Sequence, residues 1–467
     1  MSPSGRAGWR RPIAEGVPNE LLFYIFEAAT AVPDPLHHCH LDFRGNRRMD
    51  PFARERYDES LATKRSLASV CRRWNVLATP MLYTHLDVSG DRKRSQALIQ
   101  TLYPPQKSET DDILVSARAK ERAIRLGKCV KRLEISVPLS LGLGTDKTHA
   151  KSLKSDLLRQ QREFAKVTNL IRGLTHLEVF VMAARAHPGE AHVGLDMLQA
   201  LPPTLQAIHW HISGVMELAT SLSSLKPRWV KFYNTHRNLV TVDIPCQLQL
   251  SRHQGPTSVN RVQWPPIRHL SLRSVVSIAP ATVEIPASLQ SVSFLDPVLK
   301  KSAPTQFICQ FIRAHGKQLT SVGLRLESTH DAPTELLLSL KAGCPRLTQI
   351  QLFLPHSANA LDLDQFSTSV GVTVPTVTML GVEFSRPRSG STIYRTRSEY
   401  TVAVAQLSWK KVFPNLRKVR LLLEADVERF FGAGNTFSES VLDACRTRGI
   451  VMEDNFGNPL TESLDVL

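Results

Sequence analysis

From Tyr83 onward the chain repeats a short unit, apolar-x-x-apolar-x-apolar, and no other feature restricts its fold as much. The unit stands at Tyr83-Leu86-Val88, Val130-Leu133-Ile135, Leu174-Leu177-Val179, Leu205-Ile208-Trp210 and Ile267-Leu270-Leu272. It continues at Leu289-Val292-Phe294, Leu319-Val322-Leu324, Leu347-Ile350-Leu352, Val377-Leu380-Val382 and Leu416-Val419-Leu421. The last apolar pair of each unit alternates with polar residues, as in a strand with one buried face. Proline or a short polar turn precedes several units, as in LPPTLQAI, PPIRHLSL, PASLQSV, CPRLTQI and FPNLRKV. Between units, FICQFIRAHGKQ and ELLLSLKAGCP have helical spacing, each with a glycine placed for a helix C-cap. Counted from Leu289, successive units begin 30, 28, 30 and 39 residues apart. Near-constant spacing of that size marks a strand-plus-helix repeat. Upstream the spacing runs from 22 to 62 residues, and the largest gap, Leu205 to Ile267, predicts a further unit near PRWVKFYN. The leucines of such a stack fill its interior. Binding is therefore expected at outward x positions such as Thr320, Ser321, Gly323 and Arg325, or Arg417, Lys418 and Arg420. A basic face made by the last three suits an acidic or phosphorylated peptide.

The first eighty residues have a different texture. Residues 1–16 are rich in Gly, Pro, Ser and Arg, the composition of a disordered segment. Pro18 fits the first turn of a helix, where its missing N–H costs nothing. Leu21, Leu22, Ile25, Phe26 and Ala29 follow at helical spacing and define one apolar face. Burying each large side chain there contributes roughly 1.5–3 kcal/mol. This helix is expected to stop before Pro33. Residues 31–62 carry three prolines, the run HHCH and many charges, and read as an inserted loop. A second helical pattern runs through Leu67, Val70, Cys71, Trp74 and Leu77 and is predicted to end at Pro80. On that pattern Cys71 is a small buried hydrophobe. Residues 451–467 read as a flexible acidic tail.

Taken in order, VPNELLFYIFEAAT and RSLASVCRRWNVLATPMLYTHLDV resemble an F-box, especially that of the fungal F-box-like proteins with leucine-rich tails. Pro18, Glu20, Leu21, Leu22, Ile25 and Phe26, then Leu67, Val70, Cys71 and Trp74, carry the resemblance. The most specific part is VCRRWN followed by ATPMLY and a first strand THLDV. The chain departs from the family by about thirty residues inserted within the F-box. The resemblance implies an α/β fold with a small helical F-box over residues 17–82. An irregular leucine-rich-repeat-like solenoid follows over residues 83–450. It also implies a role. The F-box docks on a Skp-type adaptor, the adaptor on a cullin scaffold that carries a RING subunit, and the repeats capture a protein substrate. Such a subunit has no catalytic residues, cofactor or metal. It raises the effective concentration of a substrate lysine near the ubiquitin thioester. Two other readings stay open at this point: a leucine-rich interaction scaffold with no ligase role, and a basic nucleic-acid-associated protein.

Composition narrows these readings. The net charge of +16 favours acidic partners, anionic surfaces or a nuclear address. Aromatic residues are 7% of the chain and do not interleave with Arg10–Arg11, Arg47–Arg48, Arg72–Arg73 or Lys410–Lys411, which counts against a nucleic-acid stacking platform. The seven cysteines are odd in number and lack metal-type spacing, which suits a reducing compartment. The expected location is cytoplasmic, nuclear or both. The N-terminus shows no apolar signal region, and no stretch approaches ~18 uninterrupted apolar residues. The HHCH run at 37–40 places neighbours where they cannot easily converge on one tetrahedral ion. His209 and His211 flank Trp210 and read as histidines of a half-buried strand. Gly142, Gly144 and Lys147 lack the spacing of a phosphate loop. No nucleophile elbow, zinc-protease helix or supported carboxylate pair occurs, so the chain is expected not to be an enzyme.

Overall fold

The computed structural model describes residues 16–31, 51–88, 92–103, 113–137, 162, 165–185, 197–213, 230–243, 264–272, 285–298, 303–326, 334–354, 371–384, 409–432 and 435–460. Twelve strands form one sheet, and each pairs in parallel with the next in the chain. They are β1 (His85–Asp87), β2 (Arg132–Val137), β3 (Val179–Arg185), β4 (Ala207–Ser213), β5 (Thr241–Asp243) and β6 (His269–Leu272). The sheet continues with β7 (Ser291–Val298), β8 (Ser321–Leu326), β9 (Gln349–Leu354), β10 (Met379–Phe384), β11 (Lys418–Leu421) and β12 (Val451–Glu453). Three helices precede it: α1 (Asn19–Ala29), α2 (Pro51–Val70) and α3 (Arg72–Tyr83). The connections contain α4 (Arg92–Leu102), α5 (Ile113–Gly127), α6 (Ala303–His315), α7 (Thr334–Gly343), α8 (Trp409–Val412), α9 (Glu424–Gly432) and α10 (Asn435–Thr447). Residues 165–172 and 230–235 are helical as well. This is the arrangement of a leucine-rich-repeat-like solenoid.

Each repeat is built the same way. A tight turn closes first, as when Leu205 N–H donates to Pro202 O (3.2 Å), Leu289 N–H to Pro286 O (3.1 Å) and Leu416 N–H to Phe413 O (3.0 Å). The turn aims the first apolar residue of the unit inward, and Leu205, Leu289, Leu319, Leu347, Val377 and Leu416 are all buried. One carbonyl before each strand then accepts two N–H groups from the next repeat. Gln290 O takes Thr320 N–H at 2.8 Å and Ser321 N–H at 3.2 Å, and Thr320 O takes Thr348 N–H at 2.9 Å and Gln349 N–H at 3.1 Å. Threonine hydroxyls reinforce this line: Thr320 Oγ1 donates to Gln290 O (3.2 Å) and Thr348 Oγ1 to Thr320 O (3.3 Å).

The register aligns one apolar row across the whole sheet, from Leu86, Leu133, Phe180, Ile208, Val242 and Leu270 to Val292, Val322, Ile350, Leu380, Val419 and Met452. All twelve are buried in one continuous core. Two expectations need correction here, and a third is met. The third unit is Leu177-Phe180-Met182, because Phe180 pairs with Leu133, and Val179 points to the opposite face. The turn before β3 is itself apolar, since Leu177 N–H donates to Leu174 O (3.3 Å), and this shifted the pattern by one turn. The gap from Leu205 to Ile267 does hold a further unit just beyond PRWVKFYN: residues 230–235 are helical, and the strand follows at Thr241–Asp243 with Val242 in the row. Residues 451–467 do not begin as a flexible tail, because Val451–Glu453 is the twelfth strand. Gly449, at φ +65°, ends α10 with Gly449 N–H on Arg446 O (2.9 Å) and Ile450 N–H on Cys445 O (2.9 Å). That Schellman turn launches β12.

Gly316 and Gly343, expected as left-handed caps, are not among the glycines with positive φ. They are small for a different reason. A Cβ on Gly316 would lie 2.6 Å from Gly343 O, and a Cβ on Gly343 would lie 2.8 Å from Ile312 O. The two helices of successive repeats meet there backbone to backbone. Gly316→Ala is expected to destabilise the chain by about 1–3 kcal/mol through overpacking, and Ile350→Ala by about 2–5 kcal/mol through the cavity it leaves. Chemical denaturation measures both, and an unchanged midpoint for Gly316→Ala would show that these helices can separate.

Candidate functional site

The N-terminal helices form a unit of their own. Pro18 is the N-cap of α1, one position before the first turn expected for it. Leu22, Phe26 and Ala78 are its buried centre, with Val17, Leu67, Ala68, Trp74, Leu77 and Met81 packed around them. Phe26 and Trp74 meet edge to face, their ring centres 4.8 Å apart. Polar ties hold the helices together. Arg73 Nε donates to Asn19 Oδ1 (2.7 Å) and its guanidinium also to Val17 O, while Asn75 Nδ2 donates to Ala68 O (2.9 Å). Ser60 Oγ donates to Thr30 O (2.7 Å), which joins α2 to the end of α1.

Several local expectations for this region fail. Residues 51–62 are the first half of α2, not loop, because the charged run ARERYDES still places Tyr57, Ser60 and Leu61 inward. Residues 32–50, including the HHCH run, lie outside the described residues, as do Gly142, Gly144 and Lys147. The pattern Leu67, Val70, Cys71, Trp74 spans two helices. Cys71 is the extended N-cap of α3, and its exposed Sγ accepts from Trp74 N–H at 3.5 Å. Pro80 lies inside α3 and does not end it.

The structure divides the candidate residues into two sets. Leu22, Phe26, Leu67 and Trp74 belong to the small core. Pro18, Glu20, Leu21, Ile25, Val70 and Cys71 face outward. On α1 the outward set continues into residues not singled out beforehand. Leu21 is 53% exposed, Tyr24 66% and Ile25 55%, with Phe23 at 37% beside them. Residues 21, 24, 25 and 28 share one stripe of a helix, so α1 is apolar on two faces and buries one of them.

The sheet face turned away from the core is the second candidate surface. Its residues alternate with the apolar row: His85 and Asp87, Arg132 and Glu134, Val179 and Val181, Ala207 and His209, Thr241 and Asp243. Ser271, Ser291, Ser293, Ser321, Gly323 and Gln351 continue it. Most of this lane is buried. Arg132 is 1% exposed, and its guanidinium lies 2.7 Å from Glu134 Oε1, which also lies 3.2 Å from His85 Nε2. Burial pushes the Glu134 carboxyl up, but Arg132 and His85 outweigh it and hold the carboxyl well below the usual carboxylate range. Burial pushes the His85 ring down from its ordinary value, against the pull of Glu134. His209 is also buried here, its Nδ1 3.6 Å from Asp243 Oδ2 on the next strand.

The basic candidates do not form a free cationic face. Lys418 Nζ donates to Glu453 Oε1 (2.6 Å), and Arg420 donates to Glu453 Oε2 through Nε (2.9 Å) and Nη2 (2.6 Å). Glu453 comes from β12, which the tail reading had hidden. Arg417 is exposed and Arg325 half-buried, while Ser321 and Gly323 are buried. Among the described residues no cluster of His, Cys, Asp and Glu is placed to hold a metal ion. None of their helices is long and apolar enough to cross a membrane.

No family model matches the chain, and no curated protein matches it. Solved structures with a similar course include a leucine-rich repeat-containing protein, LegL7 of Legionella pneumophila, and the Rad7 and Elc1 complex of yeast. The first is 12% identical over 70% of this chain and 85% of that one, with a TM-score of 0.34. The second is 13% identical over 60% and 71%, with a TM-score of 0.27. Likeness at that level assigns neither chain's role here, and the repeat architecture rests on the strand ladder itself.

The His85–Glu134 pair gives stability a defined pH dependence. Both groups titrate lower in the fold than their ordinary values of 6.5 and 4.5. At these two groups the unfolded chain therefore binds more protons, and the stability they contribute is present above pH 6.5 and is lost as pH drops through 6.5 and then 4.5. His236, lowered by burial, acts in the same direction. Melting temperature is expected to fall between pH 7.5 and 5.5, and His85→Gln is expected to flatten part of that fall. An unaltered slope in the variant would assign the effect to other groups.

Proposed function

We propose that this chain is a non-catalytic substrate-recognition subunit of a ubiquitin ligase. In this reading α1 to α3 are the F-box and dock on a Skp-type adaptor, and the repeat region captures the protein to be modified. The observation that carries the reading is the outward stripe of α1. Leu21, Tyr24 and Ile25 are exposed on a helix whose other face is already packed by Leu22 and Phe26. A helix that serves only its own fold has no use for a second apolar face. The adaptor contact therefore falls on Leu21, Tyr24 and Ile25, with Val70 a further exposed apolar residue at the end of α2. Leu22, Phe26 and Trp74 support it from beneath. The chemistry of ubiquitin transfer belongs to the partners, and this chain contributes proximity.

A second reading, an interaction scaffold without a ligase, shares the repeat region and differs only at α1. The two separate in one experiment. Wild-type chain is expected to retain a purified Skp-type adaptor in a pull-down. The double variant Leu21→Asp, Ile25→Asp is expected to bind at least about a hundredfold more weakly, as for loss of two interface anchors. Its melting temperature should stay close to wild type, because both side chains are exposed. Phe26→Ala is the contrasting control and should lose about 3–5 kcal/mol of stability in the helical unit. Failure of the wild-type chain to bind any Skp-type adaptor would leave the scaffold reading.

A further inference from the structure

The helical unit touches both ends of the repeat stack. At the near end Tyr57 of α2 donates its hydroxyl to His85 O at 2.6 Å, and the two rings lie 4.4 Å apart. At the far end α2 packs against α9, the helix that leaves β11. Ten strand-to-strand steps separate β1 from β11. At ~4.8 Å per step a flat sheet would hold those strands roughly 48 Å apart. The twenty residues of α2 make a helix roughly 30 Å long. One such helix reaches both places only if the sheet curls. His85 lies on the face turned away from the core, so α2 sits at the mouth of that curl.

We infer that α2 is a clasp: it spans the opening of the curled sheet, holds its two ends together and controls access to the polar lane inside. Tyr57 and Ser60 anchor α2 to β1 and α1, and both are buried although their segment is otherwise highly charged. The lane behind it has unmet polar atoms. Thr241 Oγ1 and Ser321 Oγ are buried and have no hydrogen-bond partner, nor does His85 Nδ1. The lane residues Ser271, Ser291, Ser293 and Ser321 are only 3–8% exposed, and the clasp makes their access depend on α2. The inference concerns access to the repeat surface and does not depend on the ligase reading.

Three measurements test it on the full chain. Carbodiimide treatment of wild-type protein should join lysine- or carboxylate-bearing peptides of residues 51–70 to those of residues 424–432; no such cross-link overturns the clasp. Tyr57→Phe removes only the hydroxyl bond and should speed amide hydrogen exchange across residues 424–432 about threefold to tenfold, the loss of one net hydrogen bond. Tyr57→Ala should raise it further. A rise confined to residues 85–88 would show that α2 is anchored at one end only. Ser271→Cys places a thiol in the lane, and its maleimide labelling, read peptide by peptide, should be faster in the Tyr57→Phe background. Equal labelling rates in the two backgrounds would remove the gating role.

Discussion

One carbonyl per repeat, on the residue just before each strand, accepts two N–H groups from the next repeat, and the rest of the sheet depends on it. Thr84, Lys131, Glu178, Gln206, Val240, Arg268, Gln290, Thr320, Thr348 and Thr378 all serve in this position. Their side chains have little in common, so the constraint is one of backbone geometry. It fixes register. A slip of one residue would turn the row from Leu86 to Met452 outward and bring His85, Arg132 and Glu134 into the core. The tight turn before each strand makes such a slip costly, because it has already committed Leu205 or Leu289 to the interior. Stability then accumulates from neighbour to neighbour along the stack.

That geometry explains what the sequence displayed. The apolar row was legible because strand alternation and the preceding turn repeat together, so nine of the ten units recognised in the sequence lie in register. It failed at β3, where the turn residues Leu174 and Leu177 are apolar and the lane residues Val179 and Val181 are apolar too. With no polar contrast between faces, spacing alone could not tell one turn from the next. The opposite face was less legible for the same reason in reverse. A polar residue in a strand is expected to meet water, and nothing local indicates that Arg132, Glu134 or His209 is buried. Arg132 and Glu134 pair within one strand, but His85 beside Glu134 and Asp243 beside His209 come from strands distant in sequence.

The helical unit shows a similar division. Leu22, Phe26 and Trp74 announced themselves by helical spacing, and they form its centre. Cys71 was misplaced because one apolar period ran across a break, with the end of α2 and the start of α3 in phase. Tyr57 was missed altogether. It stands among Arg54, Glu55, Arg56, Asp58 and Glu59, a composition that reads as solvated chain. Tyr57 bonds to β1, Ser60 to the end of α1, and Leu61 is buried beside them, so long-range packing overrides local polarity there.

The two ends of the stack make the last comparison. A parallel sheet leaves an open edge at each end, and open edges invite association. At the C-terminal end the chain closes its own edge. Leu460 N–H returns to Met452 O at 2.8 Å, Pro459 bridges back to Glu453, and Asp454 accepts from Phe456 N–H (2.7 Å) and Asn458 N–H (2.8 Å). Ten residues suffice for this cap, and apart from Val451 it leaves no large apolar side chain exposed. At the N-terminal end Tyr57 satisfies the edge carbonyl of β1 just as directly. Yet the cap there is a three-helix unit that keeps Leu21, Phe23, Tyr24, Ile25, Val70 and Val76 in water. Those side chains are exposed and add little to the cap, whose contacts with β1 include the Tyr57 hydrogen bond and ring contact. The excess apolar surface is what distinguishes the two ends, and it is the surface that the proposed adaptor contact would cover.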